Sequence, residues 1–198
     1  MILIENMLST KERILASATK LLDAGGPSAV TLRAVGDAAG ISQSAPYRHF
    51  TDKRALLDAM VRQIIEQMRA MVETARSEAS SPILALTLVV GQYYLFARRY
   101  PVRYRLLLEE SRIESPVGHE ARQVFMTVAD IVQDAQKSGE LRDGDPQQIV
   151  ALIFGAVHGM ADLEQFGLVK IAPDSDSQSS LPKLLVEMLS RPVHAAIA

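Results

Sequence analysis

The stretch from Thr31 to His49 constrains this chain more than any other. It holds two helix-forming segments, Leu32 to about Ala39 and Gln43 to about His49, separated by Gly40. Thr31 can cap the first and Ser42 the second, because a side-chain oxygen there satisfies backbone N–H groups that a helix start leaves unbonded. Gly40 stands where a positive φ is needed. Leu32, Val35, Ala39 and Ile41 supply a small buried core between the segments, and Gly36 is small where they must approach closely. Ahead of them, Ile14, Leu15, Ala18, Leu21 and Leu22 fall three and four apart, marking one face of a longer helix from Ser9 to Gly25. Gly25-Gly26-Pro27 ends it. Two short helices joined by a glycine turn behind a longer one form a helix-turn-helix unit.

The following residues make the pattern specific. Thr51-Asp52 starts a fourth helix, whose apolar face runs through Leu56, Leu57, Met60, Ile64, Ile65, Met68 and Val72. Tyr47-Arg48-His49-Phe50 leads into Lys53-Arg54-Ala55-Leu56-Leu57, a Tyr-x-His-Phe-x-x-Lys-x-x-Leu arrangement. From about Lys11 to Met60 the chain resembles the amino-terminal domain of the TetR family of bacterial transcriptional regulators. The resemblance implies that the helix from Gln43 enters the major groove of double-stranded operator DNA. Ser42, Gln43, Ser44 and Ala45 would lie at its groove-facing start. Gln43 can pair bidentately with adenine, Ser44 can bond several bases, and Ala45 can touch a thymine methyl. Tyr47 and His49 match positions that bond phosphates. Lys53 matches the lysine whose charge, with the fourth helix's amino terminus, holds a phosphate. Thr31 and Arg33 are further phosphate candidates. Phe50, Leu56 and Leu57 read as core. Pro46 departs from the leucine of many family members, and a proline at a helix's fourth position loses a backbone bond.

The remainder reads as helical, with no repeat and no strand pattern. Pro82 sits in the first turn of a helix to about Arg99, and Pro101 opens another through Glu110. Glu114–Gly118 reads as a loop, and a helix from about His119 ends at Gly139. Asp145-Pro146-Gln147-Gln148 is a capping box that opens a long helix to about Phe166. Pro173–Ser180 reads as a loop before a last helix, Leu181 to Arg191. In the long helix, Ala151, Gly155 and Gly159 recur every four residues. Glycine costs about 1 kcal/mol against alanine in a helix, so the stripe implies close approach of another helix, in the subunit or across a dimer, or else room for a ligand.

Phe154 to Gly159 resembles a Trp-x-x-x-His-Gly signature of one class of TetR-type carboxy-terminal domains, with Phe154 in place of the Trp. Such domains imply dimerisation and small-molecule sensing. The expected homodimer contact uses the helices at 119–138 and 146–166. Tyr93, Phe96, Tyr104, Phe125, Met126, His158 and Met160 are candidates to line an effector site, although each also reads as plain core. His158 and Asp162 alone are too few for a metal. Arg98, Arg99, Arg103, Arg105 and Arg112 form a basic run, read as an inter-domain salt-bridge surface or as an attractor for an anionic ligand.

Composition narrows the alternatives. The chain has 198 residues, net charge −2 and no cysteine, which excludes disulfide scaffolds, thiolate metal sites and thiol redox sensing. The charge is uneven. Met1–Arg76 carries 10 Lys/Arg against 8 Asp/Glu, and Ser77–Ala198 carries 11 against 15. A slightly basic reader and an acidic sensor body account for the near-neutral total. The longest apolar runs, Ile83–Gly91 and Ile149–Val157, fall short of the ~18–20 residues a membrane span needs. Met1–Met7 carries Glu5 and no cleavage site, so it reads as a flexible arm rather than a signal peptide. No phosphate-binding glycine loop, Gly-x-Ser-x-Gly or His-Glu-x-x-His occurs, which argues against an enzyme. No cofactor or metal is implied. The expected molecule is all-α and cytoplasmic, with an arm at 1–8, a DNA-binding domain at 9–58, a connector at 59–80 and a ligand-binding and dimerisation domain at 81–198. The competing readings are a helical ligand-binding or adaptor protein that never touches DNA, and a regulator that activates rather than represses.

Overall fold

A computed structural model describes residues 9–112, 114–169 and 181–190. Among these the chain forms helices α1 (Thr10–Ala29), α2 (Leu32–Ala38), α3 (Ala45–His49), α4 (Lys53–Glu78), α5 (Pro82–Arg99), α6 (Pro101–Glu110), α7 (Pro116–Lys137), α8 (Pro146–Gln165) and α9 (Leu181–Leu189). The described residues hold no strand; Leu141 and Ser190 form one isolated antiparallel bridge. The fold is all-α. The arm at 1–8 and the loop at Pro173–Ser180 lie outside the described residues, as does Arg191.

The helix boundaries follow from capping chemistry. Ser9 accepts from the Glu12 N–H at 3.3 Å while Glu12 accepts from the Ser9 N–H at 2.7 Å, a closed capping box. These bonds to Ser9 hold the Glu12 carboxyl below its usual range. Helix α1 does not stop at Gly25. It kinks at Gly26, where φ is 70°, and adds a turn through Pro27 to Ala29. Thr31 caps α2 by accepting from the Ala34 N–H. Asp52 starts α4 by accepting from the Ala55 N–H at 2.8 Å. Asp145 accepts from the N–H groups of Gln147 and Gln148 to start α8. Helix α7 begins at Pro116, three residues earlier than the pattern indicated, because the Ser115 hydroxyl accepts from the Gly118 N–H. Glu114–Gly118 is therefore a helix start and not wholly a loop.

Contacts divide the chain into two compact units. One takes the residues up to Glu66 together with Tyr100–Ala121, and the other takes Gln67–Arg99 with the residues from Arg122 onward. In the first unit α1 packs on α2, α3 and α6. Ile14, Ala18, Leu22, Val35 and Leu56 fill its core. Helix α6 belongs here, although the sequence boundary at 81 assigned it to the back half. An ion pair from Arg103 to Asp23 of α1, with the Arg103 guanidinium 4.3 Å from the Tyr100 ring, accompanies that packing. In the second unit α5 packs against α8 and α9, around Leu86, Val90, Tyr94, Ile153 and Val186. The Arg142 N–H donates to the Leu189 carbonyl and ties the end of α9 to the turn before α8.

Helix α2 ends in a left-handed glycine cap. Gly40 has φ 63°, its N–H donates to the Asp37 carbonyl, and the Ile41 N–H donates to the Gly36 carbonyl. An added Cβ at Gly40 would meet nothing within 4 Å, so the penalty of a side chain there is conformational alone. Gly40→Ala is expected to destabilise the protein by about 1–2 kcal/mol in chemical denaturation. An unchanged midpoint would show that the turn is not held in this conformation.

Candidate nucleic-acid interface

Helix α3 is short for a reason written into its sequence. Pro46 occupies the second position, where a backbone N–H would find no partner inside the helix. Ser42, Gln43 and Ser44 precede the helix as a turn, closed by the Ala45 N–H donating to the Ser42 carbonyl at 2.9 Å. The helix therefore starts at Ala45 and not at Gln43. Ala45 is buried, at 9% exposure, so the thymine-methyl contact expected of it is withdrawn. Its place is the core, where burying the methyl is favourable. Pro46 is buried too. A Cβ on Gly36 would stand 3.4 Å from both Pro46 Cγ and Gln43 Cα, so the close approach expected at Gly36 is present.

The remaining candidates, Thr31, Arg33, Ser42, Gln43, Ser44, Tyr47, His49 and Lys53, are all exposed. Tyr47 is 58% exposed, a large solvated surface for an aromatic side chain. Thr31 accepts the capping bond and retains its O–H for an outside acceptor. Ser42 and Ser44 lie hydroxyl to hydroxyl at 3.2 Å. Gln43 donates from Nε2 to Asp37 Oδ1 at 3.3 Å. Lys53 donates from Nζ to the Pro27 carbonyl at 2.6 Å, a bond made by the extra turn of α1. An ammonium has three N–H donors, so this bond orients Lys53 without exhausting it. Arg54 pairs with Asp58 and Glu110. Arg13 was not singled out from sequence, yet its guanidinium donates to the Ala39 carbonyl at 2.8 Å and braces the turn. Its position on the polar edge of α1 carried no signal of that contact.

A short exposed helix, held on a three-helix scaffold and flanked by hydroxyl, imidazole and ammonium groups, is the apparatus of a DNA-binding helix-turn-helix. Residues 14–60 match the family described as bacterial regulatory proteins, tetR family. Residues 86–188 match the tetracyclin repressor-like C-terminal domain. The chain belongs to the tetR family and is a DNA-binding transcriptional regulator. It is 23% identical over 164 residues to the nucleoid occlusion factor SlmA of Vibrio cholerae serotype O1, covering 77% of this chain and 82% of that protein. It is 25% identical over 157 residues to the HTH-type transcriptional regulator RutR of Escherichia coli O157:H7, covering 77% of this chain and 74% of that protein. A solved protein of unknown function from Rhodococcus sp. RHA1 shares its fold at TM-score 0.75 and 27% identity, over 91% of each chain.

The effector candidates fall in different places. Tyr93 stands edge-on to Phe154 at 4.9 Å and to His158 at 5.8 Å, and Phe125 lies 5.9 Å from Phe154. Phe154 was not among the expected lining residues, yet it joins the others. Its substitution for a Trp was the available signal. Phe96, Met126 and Met160 are half-buried in the same unit. Tyr104 is buried in the first unit, at 1% exposure, so its role there is core. Burial pushes the Tyr93 phenol far above its usual range. The basic run is divided likewise. Arg98 pairs with Glu164 at 2.9 Å, and Glu164 also accepts from the Tyr94 hydroxyl, whereas Arg103 pairs inside the first unit.

Burial lowers the His158 pKa below that of a free imidazole, against an opposing pull from Asp162. The unfolded chain then binds the proton more readily than the folded one, so His158 favours folding above pH about 6.5 and that contribution is lost as pH falls. Thermal stability should drop between pH 7.5 and 5.5 more in the natural protein than in His158→Gln. Parallel curves would mean that His158 is as solvated as in a free peptide.

Proposed function

We propose that this regulator represses transcription as a homodimer bound to a two-fold symmetric DNA site, and that a small molecule held in its carboxy-terminal part releases it. The observation that carries the DNA reading is the exposed set at Thr31, Arg33, Ser42–Ser44, Tyr47, His49 and Lys53 on and around α3. One such helix reaches only a few base pairs, and two helices about 34 Å apart read a palindrome.

The dimer contact is assigned to α8 and α9. Leu152, Gly155, Gly159 and Leu163 form an exposed apolar stripe on α8, continued by Phe166. Leu184 and Met188 of α9 are exposed as well. A Cβ added at Gly155 or Gly159 meets nothing within 4 Å, so no described part of the same chain uses the small-residue stripe. Apart from Pro116 at its start, the exposed side chains of α7 are polar: His119, Arg122, Gln123, Asp130, Gln133 and Lys137. That helix, expected from sequence to form half of the contact, gives way to α9. For the effector, the aromatic group around Tyr93, Phe154 and His158 favours an uncharged, largely apolar molecule with one polar group facing the imidazole.

Selection of binding sites from random DNA with the purified protein tests the reading. It should return a two-fold symmetric sequence bound with steep salt dependence. Asymmetric sites, or no enrichment, would favour a helical adaptor. A compound that binds equally well with and without that DNA is not a releasing effector.

A further inference from the structure

We infer that Asp37, on the exposed side of α2, is a positioning residue for base reading. It fixes the amide of Gln43 so that this side chain discriminates adenine. The inference rests on the reading of Gln43 as a base-facing residue and adds the residue that sets its orientation.

Gln43 precedes α3 in a turn, where no helix geometry dictates its side-chain direction. Its amide is nearly symmetric in shape, and the carbonyl and NH2 ends exchange on a half-turn about the last torsion. Adenine needs one arrangement: the amide oxygen must accept from N6 while the amide nitrogen donates to N7. The chain holds Gln43 at both ends. Its Cα packs closely over Gly36, where a Cβ would stand 3.4 Å away. Its Nε2 donates to Asp37 Oδ1 at 3.3 Å, from the residue next to Gly36. A carboxylate accepts only, so the nitrogen end of the amide must face Asp37 and the oxygen end must face away. The second Nε2 hydrogen stays available. The amide is thus biased before DNA arrives, and part of the orientational freedom that would otherwise be lost on binding is already given up.

Asp37 is otherwise an unfavourable residue for a surface that meets phosphates. Its charge repels the backbone and lowers affinity for every sequence alike. Charge and acceptor can be separated. Asp37→Asn removes the charge and keeps an oxygen acceptor but adds an NH2 donor, and Asp37→Ala removes charge and acceptor together. Asp37 is exposed on a helix where alanine is well tolerated, so both variants are expected to fold.

The test uses the full-length protein and the site obtained by DNA selection. Affinities are measured at one salt concentration for that site and for versions altered at each base pair. Gln43→Ala should flatten the preference at one adenine in each half-site, a loss of roughly tenfold in discrimination. Asp37→Ala should lower discrimination at that same adenine by several-fold, leave other positions unchanged, and tighten binding to non-specific DNA. Asp37→Asn should tighten non-specific binding equally and lose part of the discrimination, because its amide can also donate to the Gln43 oxygen and so accepts either orientation. If Gln43→Ala flattens the adenine preference and Asp37→Ala does not, the positioning role is wrong while the base-reading role stands. Should Gln43→Ala alter no base preference, both fall together.

Discussion

Replacing Gly155 and Gly159 with arginine should convert the protein to a monomer and weaken binding to its two-fold DNA site by about 10²–10⁴-fold, the usual worth of tethering two binding modules. The size of the effect comes from geometry. Each half-site contact alone buries little surface, and the second becomes effectively intramolecular only when the two copies are joined. The specificity comes from the monomer. Both glycines are exposed, and a Cβ at either meets nothing within 4 Å. Arginine is also a better helix former than glycine by roughly 0.8 kcal/mol, so α8 itself is not weakened. Circular dichroism should therefore show retained helix while sedimentation shows half the mass. Leu184→Asp with Met188→Asp, on α9, should act in the same direction. A dimer of unchanged affinity in both variants would remove α8 and α9 from the interface.

The second large effect concerns the phosphate contacts. Tyr47→Ala and Lys53→Ala together should abolish measurable binding at physiological salt, and each alone should weaken it by roughly tenfold for every sequence tested. Tyr47 offers a hydroxyl on a ring that is 58% exposed, and Lys53 offers a charge already oriented by the Pro27 carbonyl. On the proposed reading both bond phosphates and not bases, so the ranking of DNA sequences should stay as it was. The distinguishing measurement is salt dependence. Each released phosphate contact changes the slope of log affinity against log salt by about 0.9, so Lys53→Ala should reduce it by about 1.8 per dimer. A weakened variant with an undiminished slope would mean that Lys53 acts through the Pro27 bond, as a brace for the end of α1. The two predictions separate cleanly: the first removes dimerisation and keeps the reader, and the second does the reverse.

Much of the reader was legible because its signals are local. Ser9 with Glu12, Thr31, and Asp145 before Pro146 name their helix starts by hydrogen bonds within three residues. Gly40 names its turn because only glycine takes a left-handed φ without penalty. Ala45 was misplaced because a short exposed helix and a turn capped by a buried alanine have the same pattern of residue types. Only the position of Pro46 against Gly36 decides between them. Tyr104 was misplaced because a buried tyrosine looks the same in sequence whichever unit buries it. Its helix α6 packs on α1, roughly 80 residues earlier, and no local pattern encodes that choice.

By itself, then, the sequence determined an all-α chain, a helix-turn-helix near its start and the polar residue types exposed on and around α3. Those depend on helix period, capping and turn chemistry, which act over a few residues. The tertiary structure alone decided which small-residue stripe is left uncovered, that α9 rather than α7 presents the accompanying apolar surface, and that Asp37 meets Gln43 across a glycine turn. Each depends on which faces are buried when distant segments pack, and burial is a property of the whole chain.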